Sequence, residues 1–199
     1  MGLNPISSAM LPGFPHPVLD SQRSFRSILE AIAHPGRILS IPGEFDVPAP
    51  LQPASAAICL TLLDFETPLW TDLSDAAGSL SWIRFHCGCP LEKLPARASF
   101  ALIADPLHAP DLRSFSIGQE ESPGNSTTLI IQVADVRAEG SKCLSGPGIK
   151  TNSLLGVKGL PENFWSSWRE NHLLYPLGVD VFFTAGTKIV GLPRTTRVE

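Results

Sequence analysis

Eight side chains in four short stretches carry most of the chemistry open to this chain. "AHPGR" sets His34 and Arg37 around a turn that Pro35 and Gly36 impose. "RFH" sets Arg84 and His86 at the end of a predicted helix, and "YPLGVD" ends on Asp180 at the start of a strand. "PRTT" supplies Arg194, Thr195 and Thr196 at a strand exit. Guanidinium groups beside hydroxyls suit a small oxyanion, because the fork of N–H donors matches phosphate-like oxygens. Singly, each stretch has an ordinary explanation. His34 would favour a helix C-terminal dipole, Arg37 and Arg84 would be surface cations or ion-pair partners, and Asp180 would cap a turn. Together they lie at the edges of core elements, where a rigid scaffold presents functional groups. The group reads as an anion clamp or a subunit contact.

Other familiar chemistry lacks its local motif. There is no GxxxxGK[ST] loop, no GxGxxG after a strand, no GxSxG and no HExxH. Gly146-Pro147-Gly148 is a weak phosphate-loop candidate, since Pro147 removes one N–H donor, and a structural turn is the favoured reading. "HCGC", His86 to Cys89, has no second His/Cys dyad to complete a zinc site, so no metal is expected. Cys59, Cys87, Cys89 and Cys143 read as free thiols of a cytoplasmic protein.

The bulk numbers agree. The chain has 199 residues, 43% hydrophobic and 17% charged, with net charge −4 and a sequence pI of about 5.7. It has no basic stripe, which argues against nucleic acid as a ligand. No apolar run approaches the ~20 residues of a membrane helix. The opening "MGLNPISSAMLPGFPHP" has neither basic flank nor long apolar stretch, so no signal peptide is expected.

These residues need elements to position them. "DSQRSFRSILEAIAHPGR" predicts a helix capped by Asp20, burying Phe25, Ile28, Leu29 and Ile32 and ended by Pro35-Gly36. "RILSI" reads as a short strand. "ASAAICLTLLD" reads as a helix apolar nearly all round. "PLWTDL" reads as a strand, and "DAAGSLSWIRFHCG" as a helix with Leu80, Ile83 and Cys87 inward. "ASFALIAD" and "TTLIIQVADV" are strands and "GQEESPGNS" is a loop. "KCLSGPGIK" is a strand running into a turn, and "LPENFWSSWRENHLLYPLG" is an amphipathic helix with Pro161 and Glu162 in its first turn. "VDVFFTAG" and "TKIVGLP" close the chain as a hairpin. Strands separated by helices predict a three-layer α/β/α sandwich with a mixed sheet, in one domain over residues 1–199. Residues 1–17 read as an extended or poorly ordered segment.

The ordered succession of "DSQRSFRSILEAIAHPGR", "SAAICLTLLDFETPLW", "IRFHCGCPL", "STTLIIQVADV", "LSGPGI", "YPLGVDVFFT" and "GLPRTTRVE" closely resembles the PhnH family of the bacterial carbon–phosphorus lyase machinery. The resemblance implies a shortened pyridoxal-phosphate-dependent transferase fold without the cofactor, a homodimer, and membership of a core complex with PhnG, PhnI and PhnJ. It also implies support for transfer of an alkylphosphonate to the ribose C1 of ATP, releasing adenine, with no activity in the isolated chain. The lysines agree with a lost cofactor. Lys93, Lys142, Lys150, Lys158 and Lys188 sit in polar or turn-like surroundings, unlike a desolvated Schiff-base lysine. An autonomous enzyme of pyridoxal-phosphate type and a phosphonate- or nucleotide-binding protein stand as the alternatives. For "PRTT" the resemblance implies an ordered arm with Arg194 fixed at a subunit contact or anion pocket.

Overall fold

A computed structural model describes residues 11–43, 45–74 and 78–199. The first helix, α1, spans Pro17–Ala33 and starts ahead of Asp20 because Pro17 stands in the first turn, where a missing N–H costs nothing. Asp20 still closes that end from inside the turn, its carboxylate accepting the His16 N–H at 2.8 Å. Half of the predicted apolar face of α1 is inward, Ile28 being buried and Ile32 packed against the core, but the buried side is rotated towards smaller residues. Asp20, Ser24, Ile28 and Ala31 are buried, whereas Phe25 and Leu29 are 48% and 54% exposed. The cause is a close approach: a Cβ on Gly191 would lie 2.5 Å from the Ala31 carbonyl oxygen. At that separation only small side chains fit between helix and strand, so Ser24 and Ala31 take the inner face.

β1 (Leu39–Ser40) leads to α2 (Pro53–Leu62), whose Ala54 to Cys59 are all buried, as its apolar composition predicts. β2 (Leu69–Thr71) and α3 (Gly78–Cys87) follow; the expected first residues of α3, Asp75 to Ala77, lie outside the described residues. β3 (Phe100–Ile103) and β4 (Thr128–Gln132) are parallel neighbours. β5 (Asp135–Ser145), β6 (Ser153–Lys158), α4 (Phe164–Leu173), β7 (Asp180–Ala185), β8 (Lys188–Leu192) and β9 (Arg197–Val198) complete the chain.

Six strands form a mixed sheet in the order β1-β8-β7-β4-β3-β2, with β7 and β8 as the predicted antiparallel hairpin. Its side chains alternate cleanly between two cores. Leu102, Ile130 and Phe182 face the core shared with α1, α2 and α3. Ala101, Ile103, Leu129, Ile131, Val181 and Phe183 face the other, which Phe164 and Trp168 of α4 fill. The second layer is not the helical layer of an α/β/α sandwich. It is α4 beside a three-stranded antiparallel sheet, β6-β5-β9, because the chain leaves the main sheet after β4 and β5 carries its own partners. The architecture is mixed α/β with a mixed sheet and four helices.

At the other end of the chain, Leu11 and Phe14 pack on the α1–α3 core, so this part of the N-terminal segment is held; residues 1–10 lie outside the described residues.

Candidate functional site

The C-terminal arm is fixed by side-chain bonds. Asp180, at the start of β7, accepts from the Arg194 backbone N–H at 2.8 Å and from its Nε at 3.2 Å. Arg194 Nη2 donates to the other Asp180 oxygen and to Ser126 Oγ, and Nη1 donates to the Pro123 carbonyl at 2.9 Å. The guanidinium is 12% exposed. It clamps the loop before β4, the start of β7 and the arm to one another, and its donors are turned inward to these partners. Thr196 is fully buried; its carbonyl accepts from Trp168 Nε1 at 3.1 Å, and its Oγ1 has no partner among the described residues. Thr195, next to it, faces outward into a groove.

The Gly146-Pro147-Gly148 turn joins two of the predicted stretches. A Cβ on Gly148 would lie 2.2 Å from the Ala33 carbonyl oxygen, and one on Gly146 would lie 2.8 Å from the Thr195 carbonyl oxygen. Both glycines have positive φ, 82° and 129°. The turn therefore passes through a space that admits no side chain, with "AHPGR" on one side and "PRTT" on the other. A groove flanks it on each side. The first, about 470 Å³, is bordered by His34, Arg37, Lys150 and Ser153 among others. The second, about 520 Å³, is bordered by Ser145, Gly146, His172, Tyr175, Thr195 and Arg197. Among the described residues, no carboxylate borders either groove.

Within the first groove, Arg37 is committed to Glu30 at 2.6 Å, and His34 Nδ1 donates to the Glu30 carbonyl at 3.2 Å. Both side chains are exposed, and the pair ties the turn back to α1. Arg84 and His86 lie elsewhere, on α3, which packs on the same core as α1 and lies across the main sheet from the groove at Thr195. His86 Nε2 and Trp82 Nε1 both donate to the Leu11 carbonyl, at 3.0 and 2.7 Å. His86 thus holds the N-terminal segment against α3. The eight candidates resolve into three places: an internal clamp, the borders of two adjacent grooves, and an anchor on the far face.

Cys59, Cys87 and Cys89 lie close enough to influence one another, and burial dominates. It pushes the Cys87 thiol up to about 12 and the Cys59 thiol well above its ordinary value. Burial also raises Cys89. Burial therefore favours the protonated thiol in these groups, the less reactive form for a nucleophile. Among the described residues no group of three or more His, Cys, Asp and Glu side chains is placed to hold a metal ion. Nor is any described helix long and apolar enough to cross a membrane.

Sequence reasoning missed His172, Arg197 and Ser145. His172 Nδ1 donates to the Arg194 carbonyl at 2.9 Å, so its Nε2 is the nitrogen left for other contacts. Arg197 opens β9 directly after the turn at Arg194-Thr195, and both it and Thr195 border the same groove; nothing in the local sequence pattern signalled this.

Fold and site together define a mixed α/β protein with an internally clamped C-terminal arm and two adjacent grooves, bordered by His34, Arg37, His172 and Arg197 and, among the described residues, by no carboxylate. Residues 12–199 match the model of the bacterial phosphonate metabolism protein family PhnH, and the chain belongs to that family. It is 36% identical over 189 residues, 94% of each chain, to the alpha-D-ribose 1-methylphosphonate 5-triphosphate synthase subunit PhnH of Rhizobium meliloti. It is also 26% identical over 182 residues, 89% of this chain and 85% of the other, to the putative C-P lyase subunit protein HtxG of Stutzerimonas stutzeri.

Proposed function

We propose that this chain is the PhnH-type subunit of a carbon–phosphorus lyase core assembly. In that role it supports transfer of an alkylphosphonate to the ribose C1 of ATP, with release of adenine, as a scaffold without activity of its own. The observation that carries the reading is the 36% identity to a named synthase subunit, spread over 94% of both chains. The surface is consistent with it. Val18, Leu19, Phe25 and Leu29 of α1 are 83%, 53%, 48% and 54% exposed, a row of large apolar side chains that assembly would cover. The buried, protonated thiols and the inward-bonded Arg194 also suit a structural part better than a catalytic centre.

The finer features belong to the same proposal: a cytoplasmic homodimer, one domain over residues 1–199, that joins PhnG, PhnI and PhnJ. Its main sheet would derive from a shortened pyridoxal-phosphate-dependent transferase fold that has dispensed with the cofactor.

The test is co-expression of this chain with its own PhnG, PhnI and PhnJ, followed by size-exclusion chromatography with light scattering. Co-elution at fixed stoichiometry is expected. A dimer or monomer that ignores all three partners would overturn the reading.

A further inference from the structure

We infer that the groove between the Gly146-Pro147 turn and the C-terminal arm is a binding site for a small phosphate-type oxyanion, with Arg197, Thr195 and His172 as its contacts. The inference concerns this chain alone and stands whether or not it assembles with other subunits.

Charge is the first argument. The protein carries net charge −4, yet among the described residues no Asp or Glu borders this groove of about 520 Å³. Arg197 borders it with an exposed guanidinium that has no ion-pair partner among the described residues, Glu199 included. The contrast with Arg37 and Arg194 is direct: each of those is paired with a carboxylate in place. An unpaired guanidinium on a groove whose described border carries no carboxylate makes that border locally positive.

Position is the second argument. The elements around the groove are rigid. Arg197 and Ser145 are paired across β9 and β5. Thr195 is backed by Gly146, where no side chain fits. His172 is held through Nδ1 on the Arg194 carbonyl, whose own side chain is clamped by Asp180. The ring therefore offers Nε2 from a fixed orientation, as donor when protonated or as acceptor for a protonated oxyanion. The hydroxyls of Thr195 and Ser145 and the ring nitrogen of His172 sit on held backbone, so the Arg197 side chain is the main group to be ordered when a tetrahedral anion binds. The remaining wall is apolar. Leu173 is 82% exposed and Tyr175 62%, which suits an organic group carried by the anion.

The experiment uses the full chain, labelled with nitrogen-15, titrated separately with inorganic phosphate, methylphosphonate and tripolyphosphate. Amide shifts centred on Gly146, Thr195 and Arg197 are expected, with saturation in the millimolar range or tighter. Arg197→Gln should weaken binding about tenfold or more, the loss of one charge-assisted pair. Thr195→Val should weaken it less, and Arg84→Gln on the far face should bind as the wild type does. The thermal midpoints of the variants show that each is folded. Tighter binding of methylphosphonate than of inorganic phosphate assigns the apolar wall to the organic group. Tighter binding of tripolyphosphate assigns the site to a nucleotide tail. Shifts centred elsewhere, saturation unchanged in Arg197→Gln, or no shift with any of the three anions would overturn the inference. Loss of subunit co-elution in Arg197→Gln, with no anion bound by the wild type, would make the groove a protein contact instead.

Discussion

Arg194 shows how a residue type can be right for one job and used for another. A guanidinium beside two threonines at a strand exit has the donors of an anion clamp, but here Asp180, Ser126 and Pro123 take those donors. What decides this is the Asp180 carboxylate, 14 residues back in sequence, which reaches both the backbone N–H and the side chain of Arg194. Arg194→Ala would leave a carboxylate whose side chain is 22% exposed without its cation, and would release the loop at Ser126. Stripping one partner from such a pair costs about 2–4 kcal/mol. For a chain of this length, that corresponds to a fall in melting temperature of roughly 4–15 °C. Arg194→Lys keeps the charge but not the fork, and should recover less than half of the loss. Melting followed by circular dichroism checks both. Arg194→Ala with an unchanged midpoint would show that the arm does not depend on this clamp. Little of this was legible beforehand. The spacing of Asp180 and Arg194 gives no sign of contact until β7 and β8 fold back as a hairpin.

Among the elements, the pivotal event is a change of sheet within two residues. The Val133 N–H donates to the Thr184 carbonyl of the main sheet at 2.8 Å, and the Ala134 N–H donates to the Lys158 carbonyl of the small sheet at 2.9 Å. "TTLIIQVADV" is apolar across this point, so it reads as one strand; the break is made by partners distant in sequence, not by a local turn residue. β6 was missed for a related reason: its strand pattern is interrupted by Gly156 and is supported by pairing with β5. The helix α2 and the strands β3, β4, β7 and β8 were legible because their apolar runs are long enough to require burial from more than one side. On α1 the period was right and Ile28 and Ile32 face inward as predicted, but Phe25 and Leu29 do not, since the tight contact at Gly191 favours small residues there. Asp135, at the start of β5, secures the change of sheet. Its carboxylate takes bonds from Arg137 at 2.6 Å and from Lys188 of β8 at 3.2 Å, and Lys188 also reaches the Val136 carbonyl. These donors, Arg137 first and Lys188 second, hold the Asp135 carboxyl down at about 2. A depressed carboxyl stabilises the fold above its unfolded value of about 4, and that contribution is lost as pH falls through about 2. The wild type should therefore lose stability between about pH 4 and pH 2 more steeply than Asp135→Asn, which lacks this titration. Urea midpoints across that window test it. Parallel curves for the two proteins would show that Asp135 contributes nothing there.

For the whole molecule, the largest open question is what covers the outer face of α1. Single exposed apolar residues are ordinary. Val18, Phe25 and Leu29 are not scattered: with Gln22 they fall at intervals of four, three and four residues, which lines them up along one side of a helix. The inner side is already taken by Ser24, Ile28 and Ala31, so this row can be buried only from outside. Fully covering an apolar side chain of this size contributes about 1.5–3 kcal/mol; Val18 is 83% exposed and Phe25 and Leu29 about half, so the row offers several kcal/mol to a partner. This is enough to decide whether an assembly holds at micromolar concentration. Phe25→Glu and Leu29→Glu should therefore leave the melting temperature of the isolated chain nearly unchanged, since neither side chain supports its own core. The same variants should lose co-elution with the other subunits, or shift the isolated chain from dimer to monomer if α1 is the contact between copies. Leu107→Glu, equally exposed on the other face of the main sheet at 62%, is the matched control and should assemble normally. If all three variants assembled alike, the exposed row of α1 would be an uncovered surface, and the contact would have to lie on the side of the grooves and the C-terminal arm.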